Sequence, residues 1–223
     1  MGQTSEEVAR RYSVSREEQD RLALLSQQRA LKSKSLLAQE IVPVNGLTED
    51  EGPRETSLEG LQKLKPAFGG LSTAGNSSQV TDGAAAVLMM NSELAARCGF
   101  QVLGRLIAYD SVGVDPKVMG IGPAVAIPRA LKKANLTVKD IDVWEINEAF
   151  ASQYAYSLRE LGIDPGQVNV QGGAIALGHP LGATGARLTI SALMQLQRNP
   201  KAKYAVVSMC IGGGFGSAAV FKK

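Results

Sequence analysis

Apolar positions along the chain fall into three textures. Over the first forty residues Leu22, Leu25 and Leu36 form a partial stripe among many Gln, Arg and Lys residues, the pattern of helices whose polar surplus places them in an outer layer. Thr4-Ser-Glu-Glu7 and Ser15-Arg-Glu-Glu18 each set a glutamate three residues after a hydroxyl, the capping-box spacing, so two helices are expected, the longer over 16–38. From Pro43 to Gly75 the chain turns repeatedly at Asn45-Gly46, Gly52-Pro53, Pro66 and Gly69-Gly70, and only Leu58 to Leu64 reads as a short helix within an irregular lobe. Beyond Gly75 short apolar runs alternate with amphipathic stretches. Gly83 to Met90 is a continuous apolar run of strand length, expected to begin a buried sheet, and 92–98 is a capped helix. Strands are expected near 102–109, 141–146, 204–209 and 215–221, and helices near 122–134, 148–161 and 182–198. This alternation defines a layered α/β domain. The last two strands, joined by Cys210-Ile-Gly-Gly-Gly214, suit an antiparallel hairpin that would hold the cysteine at a strand end, exposed to a pocket.

A chain of 223 residues that is 44% apolar can bury a core as one large domain or two ordinary ones. Its 24 basic and 21 acidic residues are interspersed, leaving a net charge of +3 and no basic block of the kind that grips nucleic acid. Cys98 and Cys210 stand far apart without CxxC spacing, so neither a zinc site nor a disulfide framework is expected and a reducing compartment fits. No window has the apolar length of a membrane span, and no secretory signal is readable.

Chemistry concentrates around the single histidine. His179 lies between Gly178 and Pro180; the proline disfavours helical backbone at 179, so the imidazole belongs on a loop feeding a helix. A lone histidine is often a satisfied structural residue, but Gly172, Gly173, Gly178, Gly182 and Gly185 would bring backbone and ligand close to this one. Cys210 reads either as a small buried hydrophobe or as a thiol beside the N–H groups of Ile211 to Gly214, which could hold an oxyanion. Cys98, on a helix, reads as structural. Asn147 follows an apolar strand and reads as a helix N-cap or as an oxyanion donor; Glu148 could complement a helix dipole, and Phe150 could pack against an acyl chain. Histidine, cysteine and asparagine together are the base, thiol and oxyanion donor of an acyl-transfer site. Gly212-Gly-Gly214-Phe-Gly216 superficially matches a dinucleotide loop, but no helix follows it.

Asn147-Glu-Ala-Phe150, Gly178-His-Pro180 and Cys210-Ile-Gly212, in this order and spacing, closely resemble three signature motifs of the thiolases, the acetyl-CoA acyltransferases. The resemblance extends through Met1 to Glu6, Arg16 to Asp20, Glu40 to Pro43, Lys65 to Phe68, Thr73 to Ser78 and Met119-Gly-Ile-Gly-Pro123. Asn147 to Gln153 and Met209 to Gly212 look most like the peroxisomal 3-ketoacyl-CoA members. It implies the thiolase-like α-β-α layered fold, with 1–76 as a partial, CoA-facing loop domain, 77–100 as the last strand and helix of the N-terminal half, and 101–223 as the C-terminal domain. The implied reaction is thiolytic cleavage of a 3-ketoacyl-CoA in fatty acid beta-oxidation, or the reverse condensation, with CoA and acyl-CoA as substrates and no cofactor or metal. By resemblance His179 activates the nucleophile, Cys210 moves the α-carbon proton, Asn147 holds the enolate oxygen through water, and the Gly212 N–H serves a second oxyanion site. Ser78, Phe68, Met119 and Phe150 match positions lining the pantetheine channel, and Arg54 resembles the arginine facing adenine. Thiolases attack with a cysteine of the first half, a place neither Cys98 nor Cys210 occupies. A homodimer, or assembly with a nucleophile-bearing half, is therefore expected by resemblance, the alternative being an incomplete chain acting as an interaction module; the resemblance also implies a peroxisomal location, with mitochondrial or cytoplasmic as the alternatives. Gly213 and Phe215 depart from the peroxisomal pattern and leave chain-length preference open.

Overall fold

In the computed structural model, which describes residues 1–223, the chain opens with α1 (Gly2–Arg11) and α2 (Arg16–Lys32), then the single turn α3 (Lys34–Leu37), α4 (Leu58–Gln62) and α5 (Ser92–Cys98). The Ser15 hydroxyl accepts the Glu18 N–H and caps α2, as its spacing predicts. The first predicted box does not form. Helix α1 already begins at Gly2, so Thr4 lies inside it and bonds the Met1 carbonyl, while Glu7 pairs with Arg10 and Arg11. The helix expected over 16–38 breaks at Ser33, and α2 is not a polar outer layer. Its Gln19 and Asp20 are fully buried, and Asp20 bridges Arg16 at 2.7 Å and Asn76 Nδ2 at 2.9 Å. Polar residues that read as a solvated face instead tie the helix to the irregular lobe.

The remaining elements are β1 (Arg105–Gly113), α6 (Gly122–Ala134), β2 (Val143–Ile146), α7 (Ala151–Leu161), the short α8 (Ala174–Leu177), α9 (Thr184–Arg198), β3 (Tyr204–Ile211) and β4 (Phe215–Lys222). They form one four-stranded sheet in the order β1-β4-β3-β2, with β2 and β3 parallel and the other pairs antiparallel. A parallel pair needs a long crossover, and α7 to α9 provide it. The period of two along β3 sets the layers. Ala205 and Val207 pack on Leu188, Ala192 and Leu196 of α9, whereas Val206 packs in the opposite cluster with Ile127 of α6 and Tyr154 and Leu158 of α7. The expected α/β class, with helices on both faces of a sheet, is the one observed.

One expected strand is absent. Residues 83–90 join no ladder, and Val87, Leu88 and Met89 are exposed. An apolar run supplies a strand's faces, but only a neighbouring edge satisfies its N–H and C=O groups, and 83–90 pair with neither edge strand of the sheet. Phe100, Leu106, Ile107 and Tyr109 are likewise exposed, and β1 starts at Arg105 rather than near 102. No helix is long and apolar enough to cross a membrane.

Candidate active site

Asn147 directly follows β2 and Cys210 is the penultimate residue of β3, so the two parallel strands deliver both groups to their carboxyl ends, where open α/β sheets bind ligands. His179 comes from the loop between α8 and α9. Gly178 holds φ at +90°, and a Cβ there would lie 2.5 Å from the Thr81 side chain, so glycine is required for the loop to pass. The imidazole is held at both nitrogens: Nδ1 lies 2.7 Å from Thr184 Oγ1 and Nε2 lies 3.2 Å from Asn147 Nδ2. The Thr184 hydroxyl donates its proton to the Pro180 carbonyl at 2.9 Å, so it accepts from Nδ1–H. This network assigns the proton to Nδ1 and leaves the Nε2 lone pair facing the Asn147 amide. Asn147 Oδ1 is buried without any partner.

Burial, and secondarily the positive charge of Arg187, hold the His179 pKa below its ordinary 6.5. The imidazole is therefore harder to protonate than a free histidine. For linkage, the unfolded chain takes up this proton before the folded one, so the group's contribution to stability is complete above pH 6.5 and falls as pH drops below it. Because His179 is the chain's one histidine, nuclear magnetic resonance titration reads it without ambiguity. The expected result is an Nδ1–H tautomer with a midpoint below 6.5; a midpoint above 7, or an Nε2–H tautomer, would contradict the assigned network.

Two helix-end readings are corrected. Helix α7 begins at Ala151 with Phe150 as its N-cap residue, so Asn147 caps nothing and is left free to meet His179. Glu148 does not face solvent at a helix start. Its carboxylate is buried and accepts from Ser26 Oγ at 2.6 Å, Asn169 Nδ2 at 2.8 Å and the Ile175 N–H at 3.3 Å, binding α2 to the loops around the site. Desolvation raises its pKa against these three donors. Behind Asn147 on the same face of β2, Glu145 accepts from Gln195 at 2.7 Å and lies 3.6 Å from Arg187; burial pushes its pKa up to about 7.

Cys210 is also corrected in part: it stands near the end of β3 as expected, but it is buried there rather than exposed to a pocket. Burial raises its thiol pKa, and its Sγ accepts from Gln153 Nε2 at 3.1 Å. The turn between β3 and β4 lies at 212–214, where Gly213 and Gly214 have φ of +91° and +99°. The Gly214 N–H closes the turn on the Ile211 carbonyl, whereas no hydrogen bond engages the Gly212 N–H. Cys98, by contrast, is exposed at the end of α5. Gln153, Thr184 and Arg187 are site residues that sequence reasoning passed over, although Gln153 ends the quoted stretch from Asn147 and the other two follow closely on Gly178-His-Pro180.

Of the residues expected to face CoA, Ser78, Phe68 and Phe150 lie close together, and Arg54 is joined to the histidine loop through Gln79. Ser78 donates its N–H to the Ala149 carbonyl at 3.0 Å, and the Phe68 and Phe150 rings meet edge to face at 6.2 Å. Arg54 Nη2 donates to Gln79 Oε1 at 2.8 Å, and the Gln79 carbonyl receives the His179 N–H at 3.4 Å. Arg54, Gln79, Gln27 and Leu61 line a cavity of about 280 Å³. Met119 is buried, one residue before the glycine that abuts Gln153.

The helix-covered α/β sheet thus presents an asparagine and a buried thiol at the ends of two parallel strands, with the histidine beside the asparagine. The chain belongs to the thiolase family: the thiolase C-terminal domain matches residues 100–223 and the thiolase N-terminal domain matches residues 1–93. It is 55% identical over 240 aligned positions to human peroxisomal 3-ketoacyl-CoA thiolase, an alignment covering 100% of this chain and 57% of that protein. The dimeric peroxisomal thiolase of Saccharomyces cerevisiae superposes with a TM-score of 0.95 at 48% identity, over 100% of this chain and 59% of that one. Human mitochondrial 3-ketoacyl-CoA thiolase gives 0.92 at 43% identity, over 99% and 59%. The chain thus spans a little under three-fifths of these relatives.

Proposed function

We propose that these residues supply the base, the acid thiol and the enolate-binding groups of a 3-ketoacyl-CoA thiolase, with the nucleophilic cysteine contributed by sequence beyond them. The observation that carries the reading is the imidazole clamped by Thr184 and Asn147 with its lone pair on Nε2. In thiolysis Nε2 takes the proton of the nucleophilic thiol, whose thiolate attacks the 3-keto carbon. The C2–C3 bond then breaks, leaving an acyl-cysteine and the enolate of acetyl-CoA. The protonated Nε2 now donates to the enolate oxygen, together with a water held by the orphaned Asn147 Oδ1. The Cys210 thiol gives its proton to C2, releasing acetyl-CoA. The thiol of an incoming CoA returns a proton to Cys210 as its sulfur displaces the acyl group, and the proton on His179 goes back to the departing nucleophile. No prosthetic group enters these steps.

The Gly212 N–H serves the oxyanion of the acyl-transfer half-reaction, Ser78, Phe68, Met119 and Phe150 line the pantetheine path, and Arg54 meets the nucleotide end of CoA. Residues 1–76 would then be the CoA-facing lobe, 77–100 an extension of the other half, and 101–223 the domain carrying the acid and base. The peroxisomal names of the relatives support a peroxisomal enzyme of beta-oxidation, and the yeast dimer supports a dimeric assembly. Mixing the chain with a polypeptide bearing the thiolase nucleophile half should produce acetyl-CoA from acetoacetyl-CoA and CoA, measured by loss of the substrate's enolate absorbance. A properly assembled mixture with no thiolysis of short- or long-chain 3-ketoacyl-CoA would overturn the reading.

A further inference from the structure

Among the family motifs, Met119-Gly-Ile-Gly-Pro123 has a pantetheine position at Met119 but no role for its glycines. The structure gives them one. Gly120 and Gly122 lie at the end of a 3-10 turn, Pro116–Ile121, and the start of α6. A Cβ on Gly120 would stand 2.7 Å from Gln153 Cβ and 2.9 Å from Gln153 Oε1. A Cβ on Gly122 would stand 2.6 Å from Gly216 Cα, and Gly216 is the residue paired with Cys210 across the hairpin. Gly120 therefore makes room for the Gln153 side chain, and Gly122 lets the strand opposite Cys210 pack closely.

We propose that Gln153, seated against Gly120, is a positioning residue that fixes the Cys210 sulfur and selectively stabilises its thiolate. The amide Nε2 can only donate, and a thiolate accepts far more strongly than a thiol, so the 3.1 Å contact favours the ionised form. The first turn of α7 is rigid enough to aim this donor. Ala151 N–H bonds the Asn76 carbonyl at 2.9 Å, and Ser152 Oγ meets Ser5 Oγ at 2.7 Å. Charged groups on the neighbouring elements are occupied elsewhere: Glu145 of β2 with Gln195 and Arg187, Asp110 of β1 with Arg129 and Lys133 of α6, and Asp115 before the 3-10 turn with Arg11. Gln153 is thus the one side chain bonded to the sulfur. A fully desolvated thiol would give up its proton reluctantly; the amide offsets part of that cost so that the proton can leave and return.

The assignment rests on Cys210 as the proton carrier, but its test does not depend on turnover. In the 223-residue chain with Cys98→Ser, thiolate absorbance near 240 nm against pH, after subtraction of the curve of the same chain with Cys210→Ser added, which carries the tyrosine ionisations, reports Cys210 alone. Gln153→Met, which keeps length and loses the donor, should raise the Cys210 midpoint by about one unit, a roughly tenfold smaller thiolate fraction below the midpoint. Gly120→Ala, which keeps Gln153 but crowds it, should shift it the same way. A Gln153→Met protein with native circular dichroism and an unchanged midpoint would overturn the proposal. Should Gln153→Met fail to fold, Gly120→Ala with an unchanged midpoint would overturn it as well. Failure of the underlying reading would appear separately, as turnover retained by Cys210→Ala in the assembled enzyme.

Discussion

Replacing His179 by alanine should lower thiolysis in the assembled enzyme by roughly 10²–10⁴-fold, the range for losing a positioned general base. The loss enters twice, because the same nitrogen first takes the nucleophile's proton and then donates to the enolate oxygen. Acylation of the nucleophilic cysteine, followed by intact-protein mass, should slow with turnover. Thr184→Val separates position from presence. It keeps the imidazole but deletes the acceptor of Nδ1–H, so a smaller loss, about tenfold, is expected with a shifted pH profile. Near-native turnover in His179→Ala would remove His179 from the mechanism; equal losses in both variants would mean that Thr184 does more than orient the ring.

The parts of this site that could be read in the sequence are those written in residues with narrow backbone preferences. Gly178-His-Pro180 had to be a loop before a helix, and the glycine turn after Cys210 had to join two strands; both are so. The alternation of short apolar runs with amphipathic stretches along the chain likewise placed the sheet between helices, because strands apolar on both faces need a partner on each side. Where several partners were chemically possible, the sequence alone could not choose. Asn147 is as good an N-cap as a ligand-binding amide; α7 starts at Ala151 instead because Phe150 is held in extended backbone, bridged to Ser77. Gln153 and Thr184 carry no positional signature of their own, and their roles depend on which groups the fold sets opposite them. Residues 83–90 fail for a related reason. Apolar content predicts burial, yet a strand exists only beside another edge.

Cys210 should not become acylated when the chain meets acetoacetyl-CoA, and Cys210→Ala should nonetheless stop turnover of the assembled enzyme. Both follow from its burial in β3 and from a thiol pKa raised by desolvation, which leaves little thiolate near neutral pH to act as nucleophile. A thiol that holds its proton is instead suited to deliver it to carbon. In Cys210→Ala the partner cysteine still forms its acyl adduct, but the enolate cannot be quenched at C2, so turnover should fall by at least about 10²-fold while acylation persists. That split distinguishes the two catalytic groups: His179→Ala suppresses the adduct, whereas Cys210→Ala leaves it. Raising pH should not rescue Cys210→Ala, because hydroxide removes protons and the missing step supplies one. A stoichiometric acetyl adduct on Cys210 of the isolated chain, located by peptide mass spectrometry, would show that this cysteine attacks rather than protonates.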